Sequence, residues 1–209
     1  TLHASDFDGS TGGLGGTYKR AIRPVLAREV RRCAAVFTHG PWIEARISEQ
    51  MGLTDVLSVP LMASSYYPSD GYGRSAFAPP RTLTRPIRVL WFGMIRRNKR
   101  IALALAAFAR LPEHFQLHIA GSPAEMTESA IRDLVDREGL TDRVQLTLEY
   151  VDDETADRLF SEADLLLLTH DSRFTSASGP AADARCYGLP VVAPRAGQLA
   201  SYIEDLDVG

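Results

Sequence analysis

Apolar positions along this chain follow two alternating rhythms, a helical spacing of three and four residues and short uninterrupted runs, and that alternation predicts α/β structure. Ile22, Val25, Leu26 and Val30 keep the helical spacing, which predicts a helix over residues 18–34, with Pro24 either kinking it or marking its first turn. Thr1-Leu2-His3 reads as a strand end, residues 4–17 as a Gly-rich acidic loop, and residues 34–38 as a short buried strand. Gly40-Pro41 then turns the chain into a helix ending near Met51, and residues 55–60 read as another strand. Over residues 66–86 the composition shifts to Tyr, Ser, Gly and Pro, and Pro79-Pro80 and Pro86 exclude a continuous helix or a central strand. Beyond that linker, strands are predicted at 87–92, 115–120, 144–148, 165–169 and 190–193, alternating with helices at 100–111, 125–138, 153–161 and 180–187. The unbroken apolar run Val89-Leu90-Trp91-Phe92, and that of residues 165–168, suit strands covered on both faces. Strand and helix in strict alternation require right-handed crossovers and a parallel sheet. The fold class is therefore α/β, with two Rossmann-like doubly wound parallel-sheet domains: residues 1–65, expected to be incomplete, the linker 66–86, and residues 87–209.

Composition narrows the partners. The 209 residues are 45% hydrophobic and 23% charged, enough to bury a large core, and the formal net charge is -3. With a pI near 5.9, nothing in the overall charge attracts nucleic acid, so a basic site has to be local. Two cysteines, Cys33 and Cys186, give neither a disulfide framework nor zinc-ligand spacing, which fits a reducing cytoplasm. No apolar run approaches the roughly 18 to 20 residues needed to span a bilayer. The predicted helix carrying Lys19, Arg20, Arg23, Arg28, Arg31 and Arg32 has only Glu29 among its cations; it reads as a solvated face or as a peripheral contact with anionic lipid.

In a doubly wound sheet ligands bind beyond the carboxyl ends of the strands, so the residues following each strand carry the chemistry. After the first strand of the second domain comes Gly93-Met94-Ile95-Arg96-Arg97-Asn98-Lys99-Arg100, a glycine permitting close approach and four cations ahead of a helix N-terminus. Cationic donors and a helix dipole both favour anionic oxygens, and a diphosphate suits the combination. Ala120-Gly121-Ser122 puts a second glycine beside the same crevice. Following residues 165–169, the stretch 171–179 is rich in hydroxyls, Ser172, Thr175, Ser176 and Ser178, and ends in Ser178-Gly179-Pro180. Ser178 fits an N-cap with Pro180 in the first turn, which leaves free N–H groups at the crevice. Asp183, one turn inward, either accepts from ribose hydroxyls or complements the helix dipole.

These marks, in order and spacing, resemble the retaining glycosyltransferases of the GT-B fold, in particular the large family 4 group. They are Trp91-Phe92-Gly93 through Lys99, His118-Ile119-Ala120-Gly121, Gly139-Leu140-Thr141-Asp142-Arg143-Val144, Tyr150-Val151, Ser161-Glu162-Ala163-Asp164 and Tyr187-Gly188-Leu189-Pro190-Val191-Val192-Ala193. The resemblance implies transfer of a sugar from a nucleoside diphosphate sugar, with UDP or GDP as the nucleotide, retention at the sugar, and no metal or other cofactor. The acceptor would be a glycan, a lipid-linked molecule or a small molecule, in polysaccharide or glycoconjugate biosynthesis. Position by position, Lys99 matches the family's diphosphate lysine and Gly93 its close-approach glycine, while Met94 stands where the family has an arginine, so Arg96 or Arg97 would substitute. Of two family glutamates eight positions apart, Asp183 matches the ribose-binding second and Thr175 replaces the sugar-contacting first. His3 matches the active-site histidine facing the donor sugar. The implied catalytic set is His3, Arg96 and Lys99. The implied donor-binding set is Gly93, Arg97, Gly121, Val151, Thr175, Ser178, Gly179 and Asp183.

The departures at Met94 and Thr175 keep a second reading open, a catalytically inactive glycosyltransferase-like module that binds a nucleotide or glycan. Phosphorylase or epimerase chemistry on the same architecture is a third, because fold alone does not fix reaction. Asp6-Phe7-Asp8 and Asp205-Leu206-Asp207 resemble a metal-binding triplet, but both are expected in terminal loops, and His39, His114, His118 and His170 share no ligand spacing and are expected to be structural or exposed. The run Gly12-Gly13-Leu14-Gly15-Gly16 lacks the strand-loop-helix spacing of a dinucleotide site and reads as a flexible acceptor-side loop.

Overall fold

A computed structural model describes residues 14–59, 61, 85–171, 174 and 176–206. His3, Thr175, Asp6-Phe7-Asp8 and nearly all of the 66–86 linker lie outside the described residues. The chain forms two compact units.

The first unit holds α1 (Leu14–Val30), β1 (Val36–His39), α2 (Pro41–Met51) and β2 (Val56–Val59). β1 and β2 pair in parallel, Val36 opposite Val56. Ala27 and Val30 of α1 close on Ile43, Ile47 and Met51 of α2, an i, i+4 stripe that gives the unit its core. The reading of residues 4–17 as loop is corrected from Leu14 onward, since Gly15 and Gly16 belong to the first turn of α1. Two glycines weaken a helix by about 1 kcal/mol each, which the cooperative extension and packing of a 17-residue helix offset. α1 also ends earlier than predicted, because the Arg32 and Cys33 N–H groups tighten onto carbonyls three residues back, at Glu29 and Val30. Arg31 is then free to donate to the Met51 carbonyl at 2.6 Å, capping the end of α2.

A helix absent from the sequence reading, α7 (Gly197–Leu206), follows the last strand. Arg195–Asp205 belongs to the first unit, so the second unit is not the uninterrupted 87–209 drawn from sequence. Gln198 accounts for this: its buried side-chain oxygen accepts the Ile43 N–H at 3.3 Å, satisfying a donor at the start of α2. Asp205 and Leu206 are helical, which corrects the loop expected for that triplet.

The second unit is a five-stranded parallel sheet of β3 (Ile87–Phe92), β4 (Phe115–Ala120), β5 (Val144–Thr147), β6 (Leu165–Leu167) and β7 (Val191–Val192), in the order β5-β4-β3-β6-β7. Its helices are α3 (Ile101–Phe108), α4 (Glu128–Arg137), α5 (Asp153–Glu162) and α6 (Gly179–Cys186). Thr127 caps α4 and Asp152 caps α5 through their side-chain oxygens. One face of the sheet packs Val89, Trp91, Leu117 and Ile119 against Ile101, Leu105, Phe108, Ile131 and Val135. On the other face Phe160 meets Phe92 edge-on at 5.0 Å and stacks on Tyr187 at 5.3 Å. The chain leaves β3 for β4 and β5, then returns to β3's other side for β6. β3 is therefore the strand at which the order reverses, and the crevice falls at its carboxyl end.

Candidate functional site

The loops after β3, β4 and β6 meet because those strands are hydrogen-bonded neighbours. The Gly93 N–H donates to the Ala120 carbonyl at 2.9 Å and the Ile95 N–H to Ser122 at 2.9 Å, so the first loop lies along the second. Both glycines have a steric reason. Gly93 takes φ 98 and a Cβ there would come 2.9 Å from the Lys99 ammonium nitrogen and 3.5 Å from Pro180 Cγ. Gly121 takes φ 146, and its Cβ would overlap the Gly93 carbonyl, with the carbonyl carbon at 2.6 Å.

Lys99 ends a 3-10 turn, Arg97–Lys99, and Arg100 then takes a left-handed φ of 47 to start α3. The Arg97 N–H donates to Glu125 at 3.0 Å, tying the turn down. The Lys99 side chain folds back over the sheet end, donating to the Phe92 carbonyl at 3.2 Å with its ammonium 5.1 Å from the Trp91 ring centre. Burial and then the nearby Arg96 lower its pKa to about 8. At neutral pH it is still cationic, and it sits where low dielectric strengthens its attraction for an anion.

Sequence reasoning missed the support around that lysine. Trp91 Nε1 donates to the Thr169 hydroxyl at 3.0 Å, and that hydroxyl donates to the Lys99 carbonyl. The Asp171 N–H donates to the Asn98 carbonyl at 2.8 Å. His170, expected to be structural or exposed, is 4% exposed between those two ties. Burial and the Lys99 charge, opposed by Asp171, bring its pKa to about 4, so it is neutral beside the cation. The available signal was its position directly after β6, next to the central strand.

Gly93, Lys99 and Gly121 are thus brought together, with Pro180 at the start of α6 against them. Asp183 is 1% exposed on α6, near enough to Tyr187 that its charge helps hold that phenol un-ionised, after burial and the 2.8 Å bond that Tyr187 donates to Asp157. Gly179 is the first residue of α6, while Ser178, buried, is grouped with the first unit. Arg96 and Arg97 are exposed, Arg96 Nε lying 3.2 Å from the sulfur of Met94, itself 47% exposed. Val151 is half-buried ahead of α5, after the edge strand β5 and one strand removed from β3. A cavity of about 410 Å³ opens at the other end of the sheet, among Arg88, Gln116, His118, Arg143 and Glu162, and shares no residue with these loops.

Two close-approach glycines and a lysine with no acid among the influences on its charge thus lie at the switch point of a doubly wound sheet, the place where such sheets bind ligands. The model of the family described as glycosyl transferases group 1 matches residues 86–209, more than half of the chain, and the chain belongs to that family. No curated protein matches it in sequence. Among solved structures it is similar to sucrose-phosphate synthase from Thermosynechococcus elongatus, with TM-score 0.64 and 22% identity over 86% of this chain and 45% of that one. It is similar also to WaaG, a glycosyltransferase involved in lipopolysaccharide biosynthesis, with TM-score 0.64 and 19% identity over 98% and 57% of the two chains. A third is Anabaena HepE in complex with UDP, at TM-score 0.64 and 18% identity over 87% and 50%. The fold is GT-B. The chain spans about half the length of these structures.

Proposed function

We propose that the protein transfers a sugar from a nucleoside diphosphate sugar, with retention and without a metal as in the family 4 group, and that its second unit binds the donor. The observation that carries this is the convergence of Gly93, Gly121 and the half-buried Lys99 ammonium at the carboxyl end of the switch strand. The departing diphosphate gains negative charge as the glycosidic bond breaks. A cation fixed beforehand in a low-dielectric crevice stabilises that charge without reorganising. Lys99 and Arg96 take the leaving group, Arg96 or Arg97 substitutes for the arginine absent at Met94, and the first N–H groups of α6, from Gly179 onward with Ser178 before it, face the phosphates. Asp183 accepts from the ribose, and Gly93, Gly121 and Val151 line the donor. His3 and Thr175 would meet the sugar, and the acceptor is a glycan, a lipid-linked molecule or a small molecule.

Titration calorimetry with UDP, GDP, ADP and TDP tests the site, UDP first because HepE is solved with UDP and with UDP-glucose. One nucleotide should bind, and Lys99→Ala and Asp183→Ala should each weaken it tenfold or more, about 1.4 kcal/mol. Binding that neither substitution alters would sink the assignment. The residues at Met94 and Thr175 favour a second reading, a nucleotide-binding module without turnover; transfer or hydrolysis of the bound donor separates the two. A cytoplasmic location with a peripheral membrane role, as proposed here, draws on α1, where Tyr18 is 66% and Val25 63% exposed on a helix with Arg28 in its last turn and Arg32 just beyond its end. Sedimentation with anionic against neutral vesicles tests it, and equal recovery would remove it.

A further inference from the structure

We propose that Thr169 is the positioning residue of the phosphate loop: its hydroxyl accepts from the Trp91 indole and donates to the Lys99 carbonyl, which holds the lysine folded back onto the sheet end. Its purpose rests on the donor-site reading; its geometry does not. A lysine side chain has four rotatable carbons and gains by reaching for water, so an ammonium half-buried beside Arg96 requires something to keep it there. The 3.2 Å bond to the Phe92 carbonyl and the Trp91 ring give the ammonium its seat. That seat is usable only while the Lys99 backbone stays over it. Two ties fix the backbone, the Thr169 hydroxyl on the Lys99 carbonyl and the Asp171 N–H on the Asn98 carbonyl. The first depends on a side chain and the second does not. Thr169 also settles the indole that forms the seat, so one hydroxyl sets both the lysine and the surface beneath it. Of the charged or titratable groups around this loop, Arg96 acts on Lys99, and Lys99 and Asp171 act in turn on His170, in the segment after β6.

The chain allows a direct test, because Lys99 is one of only two lysines, the other being Lys19. With biosynthetically labelled lysine, the side-chain carbon next to each ammonium gives two carbon-13 signals, and Lys99→Arg identifies which is which. In the unliganded wild type the Lys99 signal should titrate near pH 8. Thr169→Val removes both hydrogen bonds at nearly constant volume and should move that midpoint up by one pH unit or more, while Thr169→Ser restores it. Trp91→Phe keeps a ring but loses the indole donor, and should move the midpoint in the same direction by less. A Lys99 midpoint unchanged in a folded Thr169→Val protein overturns the proposal. UDP, GDP, ADP and TDP are then added in turn to the same samples. If the midpoint moves as expected and wild type binds none of UDP, GDP, ADP and TDP, the positioning stands and the donor-site reading falls; if one binds, Thr169→Val should weaken it threefold to tenfold at pH 7.

Discussion

Gly121→Ala and Gly139→Ala make a matched pair that isolates the packing of the two loops. Both glycines have positive φ, 146 at Gly121 and 66 at Gly139, so alanine at either position meets a backbone penalty of about 1 to 2 kcal/mol. They differ in what the new methyl meets. At Gly139 no atom lies within 4 Å, whereas at Gly121 the methyl runs into the Gly93 carbonyl. Backbone held at 2.9 Å to Ala120 cannot step aside as the end of a side chain can, so overpacking adds about 1 to 3 kcal/mol. Gly139→Ala is expected to lose about 1 kcal/mol and Gly121→Ala about 3 to 4. The assay is denaturant unfolding followed by Trp91 fluorescence in a Trp42→Phe background, since Trp42 and Trp91 are the only tryptophans. The displaced loop carries Lys99, so Gly121→Ala should also weaken nucleotide binding while Gly139→Ala leaves it intact. Equal losses of stability from the two substitutions would refute the argument that Gly121 exists to let the loops touch.

Lys99→Met should stabilise the unliganded second unit while abolishing nucleotide binding. The shift from 10.5 to about 8 corresponds to at most about 3 kcal/mol against the charged folded state, present in full below pH 8 and relieved as pH rises toward 10.5, so the wild type should gain stability over that interval and the variant should not, as read from unfolding at a series of pH values. Asp183→Asn keeps the shape of a 1% exposed side chain but removes its charge, and calorimetry should find UDP binding at least tenfold weaker if the carboxylate holds the ribose. Thr127→Ala removes the acceptor for the Ala130 N–H at 3.2 Å and should cost about 1 kcal/mol in denaturant unfolding without altering nucleotide affinity. Tyr187→Phe, which deletes the 2.8 Å bond to Asp157 from a buried ring, should lose about 1 kcal/mol by the same measurement.

What the sequence made legible follows from where each signal resides. β3 falls at the predicted residues because a strand buried on both faces writes itself as an unbroken apolar run, Val89-Leu90-Trp91-Phe92, and β4 because Phe115, Leu117 and Ile119 alternate with Gln116 and His118. α7 had its own trace, Leu199, Tyr202, Ile203 and Leu206 at helical spacing, yet its membership of the first unit hangs on Gln198 meeting Ile43, 155 positions away, which no local pattern carries. Gly93 and Lys99 were readable as a glycine and a cation just after a strand. The Trp91, Thr169 and His170 support was not, because Thr169 and Trp91 become neighbours only once β6 is known to lie against β3. The same order explains Val151: its loop follows β5, which pairs only with β4 at the sheet edge.

The electrostatics of Lys99 show which side of the stability and function balance this crevice favours. Both influences that shift its proton affinity, burial and Arg96, oppose its charge. A carboxylate placed beside it would have relieved that opposition, and the chain has 26 acidic residues from which to supply one. It would also have occupied the ammonium and repelled any phosphate. A buried cation with no compensating acid among the described residues destabilises the unliganded fold and gains most from an anion that arrives later. The Thr169 and Trp91 bonds add order to a group that water would otherwise draw outward, so the crevice is kept in its cationic arrangement before anything binds. An anion bound there would draw the Lys99 pKa back up from about 8, so on the proposed donor site nucleotide binding at pH 8 to 9 should be accompanied by proton uptake, visible as a binding enthalpy that depends on the ionisation heat of the buffer. A buffer-independent enthalpy in that range would mean that the nucleotide's charge is met elsewhere.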